Sequence, residues 1–252
     1  CLGRGGSDFS AGILANALDA DALELWKDVD GFMSADPKAV EDAKLLKSLS
    51  YSEAEELGYL GAKILHPRTI VPLREKNIKA VVKNILKPGQ EGTVISSFKE
   101  EKENIVKSIA IQKNIAVVQL KSASIVGLPG ALTQIFSALS TNEINVDLVS
   151  TSEAGVSLTI GQTDVEKARN ALENCPLAFE SIAFDEDVAM IGIIGEGMKG
   201  KTGITGKIFG ALGDAEINIE MISQGSTEIN LSIVVKEHDA EKAVKVIHKK
   251  FT

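Results

Sequence analysis

The strongest constraint on this chain is an internal repeat. Ile135-Phe136-Ser137-Ala138-Leu139 recurs as Ile208-Phe209-Gly210-Ala211-Leu212. Ile144-Asn145-Val146-Asp147-Leu148-Val149-Ser150 recurs as Ile217-Asn218-Ile219-Glu220-Met221-Ile222-Ser223. Both blocks are displaced by 73 positions, and equal offsets over separated blocks point to one structural unit present twice. Each copy reads strand, helix, strand, strand, helix. The first has strands near 114–121, 145–151 and 155–161 and helices near 130–142 and 164–174. The second has strands near 187–194, 217–223 and 228–236 and helices near 203–213 and 239–249. A βαββαβ unit needs a fourth strand, because three leave part of one sheet face wet. The first copy can use 179–184, but the second has no strand after its last helix. The apolar run 105–111, ahead of the first copy, fills that gap. The expectation is two interlocked α+β units within 104–252: 115–185, and 186–252 plus the strand 105–111.

Residues 1–98 read differently. Aromatics are only 4% of the chain, so the core is built from aliphatic residues, as in α/β folds. Ser7 or Asp8 can cap a helix to about Asp19 with Phe9, Ile13, Leu14 and Ala17 on one face. Ala22 to Trp26 reads as a strand, and 27–38 as a polar loop punctuated by Gly31 and Pro37. Ser52-Glu53-Ala54-Glu55 resembles a capping box opening a helix that ends near Gly61. Pro67 starts another helix to about Lys76, and 79–86 is rich in β-formers. Alternating strands and helices imply βα units and a mostly parallel sheet. The charged run 99–103 reads as the linker between the two parts.

Composition excludes several functions. The net charge of −8 repels phosphate backbones, which argues against a nucleic-acid partner. No stretch is long and apolar enough to span a bilayer, so no membrane role is expected. Cys1 and Cys175 have no paired spacing, which gives neither a disulfide framework nor a zinc site and fits a reducing, cytoplasmic location. No nucleophile–base triad and no metal-ligand cluster is visible.

Three motifs carry chemistry. Gly3-Arg4-Gly5-Gly6-Ser7-Asp8 leads into a helix, where glycines let an anion approach the backbone and the helix N-terminus offers unpaired N–H groups. Arg4 adds a fork matched to a carboxylate or phosphate. An ordinary glycine turn with a helix cap is the alternative. Trp26-Lys27-Asp28-Val29-Asp30-Gly31 follows a strand's carboxyl end, where α/β sheets bind ligands, and Asp28 and Asp30 suit a ribose or a magnesium-bound nucleotide. A loop of Asx turns is the other reading. Gly61-Ala62-Lys63-Ile64-Leu65-His66-Pro67 carries one lysine that can neutralise phosphoryl charge, or can simply be a surface lysine. His66, before a proline, reads as structural. In the repeats, Gly127-Leu128-Pro129-Gly130 and Gly195-Glu196-Gly197 precede helices whose N-termini can hold a small carboxylate. Asp147, paired with the loop Ser150-Thr151-Ser152-Glu153, can hold an amino group; two structural α+β units with polar turns are the other reading.

With these motifs in this order, together with Ala35-Asp36-Pro37 and Glu53-Ala54-Glu55-Glu56-Leu57, the sequence resembles the aspartate kinases over nearly its whole length. The repeat copies resemble their paired ACT domains. The resemblance implies a fragment of an α/β amino-acid-kinase domain (1–98) followed by two interlocked ACT units. It implies ATP-dependent phosphorylation of the β-carboxylate of L-aspartate, with Mg bridging phosphates and feedback by lysine or threonine. Arg4, Gly5 and Ser7 would bind aspartate and Asp8 would order their loop. Lys27, Asp28, Met33, Lys38, Lys63 and Ile64 would contact ATP. The implied effector residues are Leu128, Gly130, Ala131, Leu132, Val146, Asp147, Thr151, Ser152, Glu153, Asn218 and Gln224, in a site closed by a homodimer.

Two classes of function stay open: a feedback-regulated kinase, or a non-catalytic amino-acid-binding regulatory chain. The chain opens on the glycine loop without the strand that feeds such a loop, which gives the expectation of a fragment. Alone it is expected to turn over poorly in an ATP- and aspartate-dependent hydroxamate assay; rates of about 1–100 per second would contradict this.

Overall fold

The computed structural model describes residues 5–61, 64–97, 105–122, 128–153 and 155–251. The expected linker, 99–103, lies outside them. The N-terminal part runs α1 (Gly6–Ala17), β1 (Ala22–Lys27), β2 (Ser48–Ser50), α2 (Tyr51–Tyr59), a 3-10 turn (Pro67–Thr69) continuing as α3 (Ile70–Glu75), β3 (Lys79–Asn84) and β4 (Thr93–Ser96). Its sheet has the order β1-β3-β4-β2. β1 pairs parallel to β3 and β2 parallel to β4, but β3 and β4 are antiparallel, so the sheet is mixed rather than mostly parallel. The sequence reading missed β2 and β4, which are only three and four residues long.

Two helix starts differ from expectation. Gly5, not Ser7 or Asp8, is the N-cap of α1, in the left-handed region at φ 74°, with no side-chain cap. Ser7 and Asp8 fall in the first turn. The helix ends at Ala17, and it buries Gly12 and Ala15 while Ile13 and Leu14 stay exposed. The smaller residues face inward because α3 lies so close: a Cβ on Gly12 would come 2.9 Å from the Thr69 carbonyl oxygen. The capping box of α2 is Ser50 with Glu53, two residues earlier than expected. The Ser50 hydroxyl accepts from the Glu53 N–H (3.1 Å), and the Glu53 carboxylate accepts from the Ser50 N–H (2.9 Å).

The C-terminal part runs β5 (Ser108–Lys121), α4 (Ala131–Thr141), β6 (Val146–Ser152), β7 (Gly155–Gly161), α5 (Val165–Glu173), β8 (Ser181–Ile194), α6 (Ile204–Asp214), β9 (Met221–Gln224), β10 (Asn230–Lys236) and α7 (Ala240–Phe251). They form one six-stranded sheet, β6-β7-β5-β8-β10-β9. The runs expected as separate strands, 105–111 with 114–121 and 179–184 with 187–194, are two continuous 14-residue strands, β5 and β8. They pair antiparallel from Ser108↔Ile194 to Lys121↔Ser181. The first half of β5 thus completes the second unit and the first half of β8 completes the first. The interlock read from the sequence is present.

The breaks read as loops are irregularities at the centre of that pair. Register slips between Gln112 and Ile115 and between Ile115 and Val117, and Asn114 adopts φ 59°. The slip reverses side-chain parity. Before it, Ile109 and Ile111 pack with α6 and α7; after it, Ala116, Val118 and Leu120 pack with α4 and α5. All four helices therefore lie on one side of the sheet. The other side carries Ile115, Val117, Val188, Met190 and Ile194, packed with Leu57 of α2 and Leu60 at its C-cap. The sheet curls until its outer strands, β6 and β9, approach each other.

The N-terminal part is bonded to the second unit. Glu53, 3% exposed, uses its other carboxylate oxygen to accept from the Glu196 N–H (2.9 Å). Asn230 Nδ2 donates to Glu56 Oε2 (2.8 Å). Ile109 N–H donates to the Ser34 carbonyl (2.9 Å), Ser108 Oγ to the Met33 carbonyl (2.8 Å), and Ser34 Oγ bonds His248 Nε2 (2.9 Å). Burial holds the His248 pKa below its ordinary value, with the nearby Lys44 in the same direction and Asp42 opposing.

Because the second unit borrows residues 108–112, deleting 105–112 should destabilise it from a distance. Hydrogen exchange is expected to show lost protection at 217–235, and unchanged protection there would contradict the pairing.

Candidate functional site

The sheet order explains which motifs meet. α1 packs on α3, and a Cβ on Gly5 would run into the His66 ring. That brings the glycine loop against the 64–67 turn, where His66 Nδ1 accepts from the Arg68 N–H and caps the 3-10 turn. From the carboxyl end of β1, Lys27 Nζ reaches Asp8, 2.9 Å to Oδ1 and 2.7 Å to Oδ2. Gly5 and Asp8 thus bring the glycine loop, the 64–67 turn and the end of β1 together, with Ser7 and Asp28 exposed. Gly3, Arg4 and Lys63 lie outside the described residues. Asp30 is committed elsewhere: Lys87 and Asn84 bond its carboxylate and lower its pKa.

Neither Met33 nor Lys38 takes part in these contacts among the described residues. Their loop is held to the second unit through the Met33 carbonyl and the Ala35–Ile109 bridge, and Lys38 is exposed.

The residues expected to hold the effector fall into separate sets. Leu128, Gly130, Ala131, Leu132, Thr151, Ser152 and Glu153 lie at the outer end of the first unit, where β5 ends and β6 turns into β7. Gly130, at φ 85°, is the N-cap of α4 without a side-chain cap. The Ala131 side chain is in the core, 3% exposed. Val146 and Asp147 lie at the other end of β6, beside the seam where the two units meet. Ser152 lies five steps along β6 from Asp147, roughly 17 Å. Asn218, just before β9, bonds Glu220 (3.0 Å) toward the same seam, while Gln224 lies at the outer end of the second unit, opposite Leu231.

Asp147 is exposed on β6, yet the protein around it partly desolvates its carboxylate and raises its pKa above the ordinary 3.8; a hydrogen bond from Gln112 Nε2 (3.2 Å) opposes the shift. Sequence reasoning missed Gln112. Its only signal was its place at the break between two apolar runs.

Residues 1–84 match the amino acid kinase family, and residues 118–175 and 191–251 match the ACT domain. The bifunctional aspartokinase/homoserine dehydrogenase of Haemophilus influenzae is 40% identical over 98% of this chain and 31% of its own. The aspartate kinase of Clostridium acetobutylicum superposes with a TM-score of 0.90 at 35% identity, over 99% of this chain and 59% of that one. The chain belongs to the aspartokinase family. It also resembles E. coli aspartokinase III, solved with lysine and aspartate (TM-score 0.85, 32% identity, 99% of this chain and 56% of that one) and with aspartate and ADP. The chain spans about a third of the bifunctional relative and a little over half of the two solved kinases. The repeated units are ACT domains, and no helix among the described residues is long and apolar enough to cross a membrane.

The Asp147 shift fixes a sign. An ammonium bound beside Asp147 would favour the ionised carboxylate, so such binding would release protons and weaken as pH falls through the raised pKa. In the free chain, protonating Asp147 stabilises the fold. Titration calorimetry with lysine and threonine in buffers of different ionisation heat should show proton release on the acid side. Asp147→Asn should abolish it without lowering the melting temperature at neutral pH.

Proposed function

We propose that this aspartokinase chain serves the ATP-dependent phosphorylation of the β-carboxylate of L-aspartate, under feedback by lysine or threonine bound at its ACT units. The observation that carries the reading is the meeting of three separate motifs at the N-terminus of α1. Arg4, Gly5 and Ser7 take the aspartate carboxylates, using the helix N-terminus and the arginine fork. Asp8 is held by Lys27, which fixes the first turn of α1 against the end of β1. Lys27, Asp28, Lys63 and Ile64 border the nucleotide. The loop with Met33 and Lys38 borders it on one side and the second ACT unit on the other.

Among the described residues there is no cluster of three metal-ligating side chains. That fits a magnesium carried mainly by the nucleotide phosphates, with Asp28 the exposed carboxylate at hand. Bound there, it would neutralise charge on the phosphates. The residues of this chain bind and orient aspartate.

The effector reading uses the split described above. A single amino acid cannot span roughly 17 Å of strand, so the α4 N-terminus and Asp147 can serve one molecule only from two chains. A homodimer through the ACT units answers this, and a C2 pair presents each set to the other. The E. coli enzyme solved with lysine supports lysine as effector, with threonine the alternative. A reducing, cytoplasmic location belongs to the same reading, and Cys175 is a free thiol.

In an active aspartokinase containing this chain, Arg4→Ala should raise the aspartate KM and lower kcat/KM by about 2–4 kcal/mol of transition-state stabilisation, with a smaller change in the ATP KM. Unchanged aspartate kinetics would remove Arg4 from the site.

A further inference from the structure

The repeat supplies its own comparison at the seam. β5 and β8 match residue for residue at the offset of 73, and the pairs Gln112↔Met190 and Val117↔Asp185 are mirror images under it. Asp185 is therefore the counterpart of Gln112, and Glu220 that of Asp147. Lys236 lies opposite Val188 in the second unit, as Gly161 lies opposite Ile115 in the first, so Lys236 is the counterpart of Gly161. In the second unit these three positions form a closed set. Lys236 donates to Asp185 and lies in the field of Glu220, and both raise its pKa. In the first unit the two acceptors are present and the lysine is replaced by glycine.

The consequences are visible at both acceptors. Among the described residues no cation pairs with Asp147. The Gln112 amide oxygen is closed off from solvent and has no hydrogen-bond partner among the described residues. Its orientation follows from Asp147, since the N–H side must face the carboxylate. Both strands depart from a regular ladder here. β5 slips after Gln112, and β6 slips between Val146 and Val149, with the Leu148 N–H turned onto Thr159 Oγ1 (2.9 Å). Such bulges re-aim side chains.

We infer that Gln112 and Asp147 form a clasp for a primary ammonium, filling the place that Lys236 fills in the second unit. A carboxylate without a counter-ion and a carbonyl without a donor lack the same thing. An –NH3+ group supplies charge to one and an N–H to the other. The inference rests on the proposed effector site and adds to it: Gln112 is a ligand, the group it reads is the effector's ammonium, and only the first unit is open to a free one.

The test is calorimetric titration of the chain with lysine and threonine, and with analogues lacking one amino group (norleucine and 6-aminohexanoate, or 3-hydroxybutanoate). Gln112→Leu and Gln112→Met should weaken binding roughly tenfold or more without lowering the melting temperature, because they remove an unpartnered buried acceptor. An analogue lacking the clasped ammonium should bind these variants and wild type alike. Gly161→Lys, at a backbone of φ −62°, ψ 137° that lysine adopts freely, should supply the ammonium from within. It should abolish binding and raise the melting temperature. Wild-type affinity in both Gln112 variants, with binding lost in Asp147→Asn, would overturn the clasp and leave the effector site standing. Lost affinity with a lowered melting temperature in both would make Gln112 structural and overturn it too. Binding of neither amino acid by wild type would defeat clasp and effector site together.

Discussion

The regulatory half of the molecule depends on one strand pair. β5 and β8 run antiparallel over 14 residues each, and each gives half its length to either unit. Neither ACT unit has four strands without the other's chain segment. Exposing one means breaking the shared ladder, so the two are expected to unfold together. The bulges at the centre of the pair are equally necessary. A regular strand of that length would keep one parity throughout, and the helices of one unit would face the side occupied by α2. The slip places Ile109 and Val118 on the same side although their parities differ.

The joint between the kinase part and the second unit follows from that geometry. With all four helices on one face, the other is free to receive α2. Leu60 packs so closely on Gly192 that a Cβ there would clash with it. Glu53 is the polar centre of the joint: one carboxylate oxygen caps its own helix and the other accepts from the Glu196 N–H. A buried carboxylate is tolerated only when its lone pairs are met, and here two backbone N–H groups meet them. The Glu53-Ala54-Glu55-Glu56-Leu57 motif therefore works as a connector. Its glutamates Glu53 and Glu56 bond across to the second unit. Ser34 and His248 make a second contact from the 32–46 loop to α7.

Much of this was legible in the sequence, for a definite reason. The repeat, the interlock and the helix faces of the ACT units follow from apolar periodicity, which survives duplication. Ala131, Ile135 and Leu139 are buried, as are Ile204, Ile208 and Leu212 at the same offset. Even the turn after each helix repeats, with Glu143 and Glu216 at φ 55° and 56°. What escaped depends on contacts between distant segments. Nothing near Gly12 says that α3 will press on it and turn Ile13 and Leu14 outward. Ser50 and Ser52 are equally good caps locally, and the strand β2 ending at Ser50 decides between them. A bulge looks like a loop in a pattern of alternation, so one long strand read as two. Asp8 and Lys27 carry no mutual signal, and Gln112 gains meaning only beside Asp147.

The duplication also suggests how an occupied seam would be felt at the kinase part. The two units run in opposite directions along β5 and β8, so their inner ends meet at the bulges and their outer ends point away. Gln112 is paired with Met190, and Met190 lies in the same core cluster as Leu57 of α2 and Leu60 at its C-cap. Close-packed interiors transmit small displacements instead of absorbing them. A group drawn into the proposed clasp would act on the strand position next to that core. Glu53, at the start of the same helix, ties the displacement to the second unit. The second unit cannot respond in the same way at its own inner end, because Lys236 already holds Asp185 there. One copy of the repeat is held by its own lysine. On the proposed reading the other keeps its acceptors open, and the difference between them is what a ligand would change.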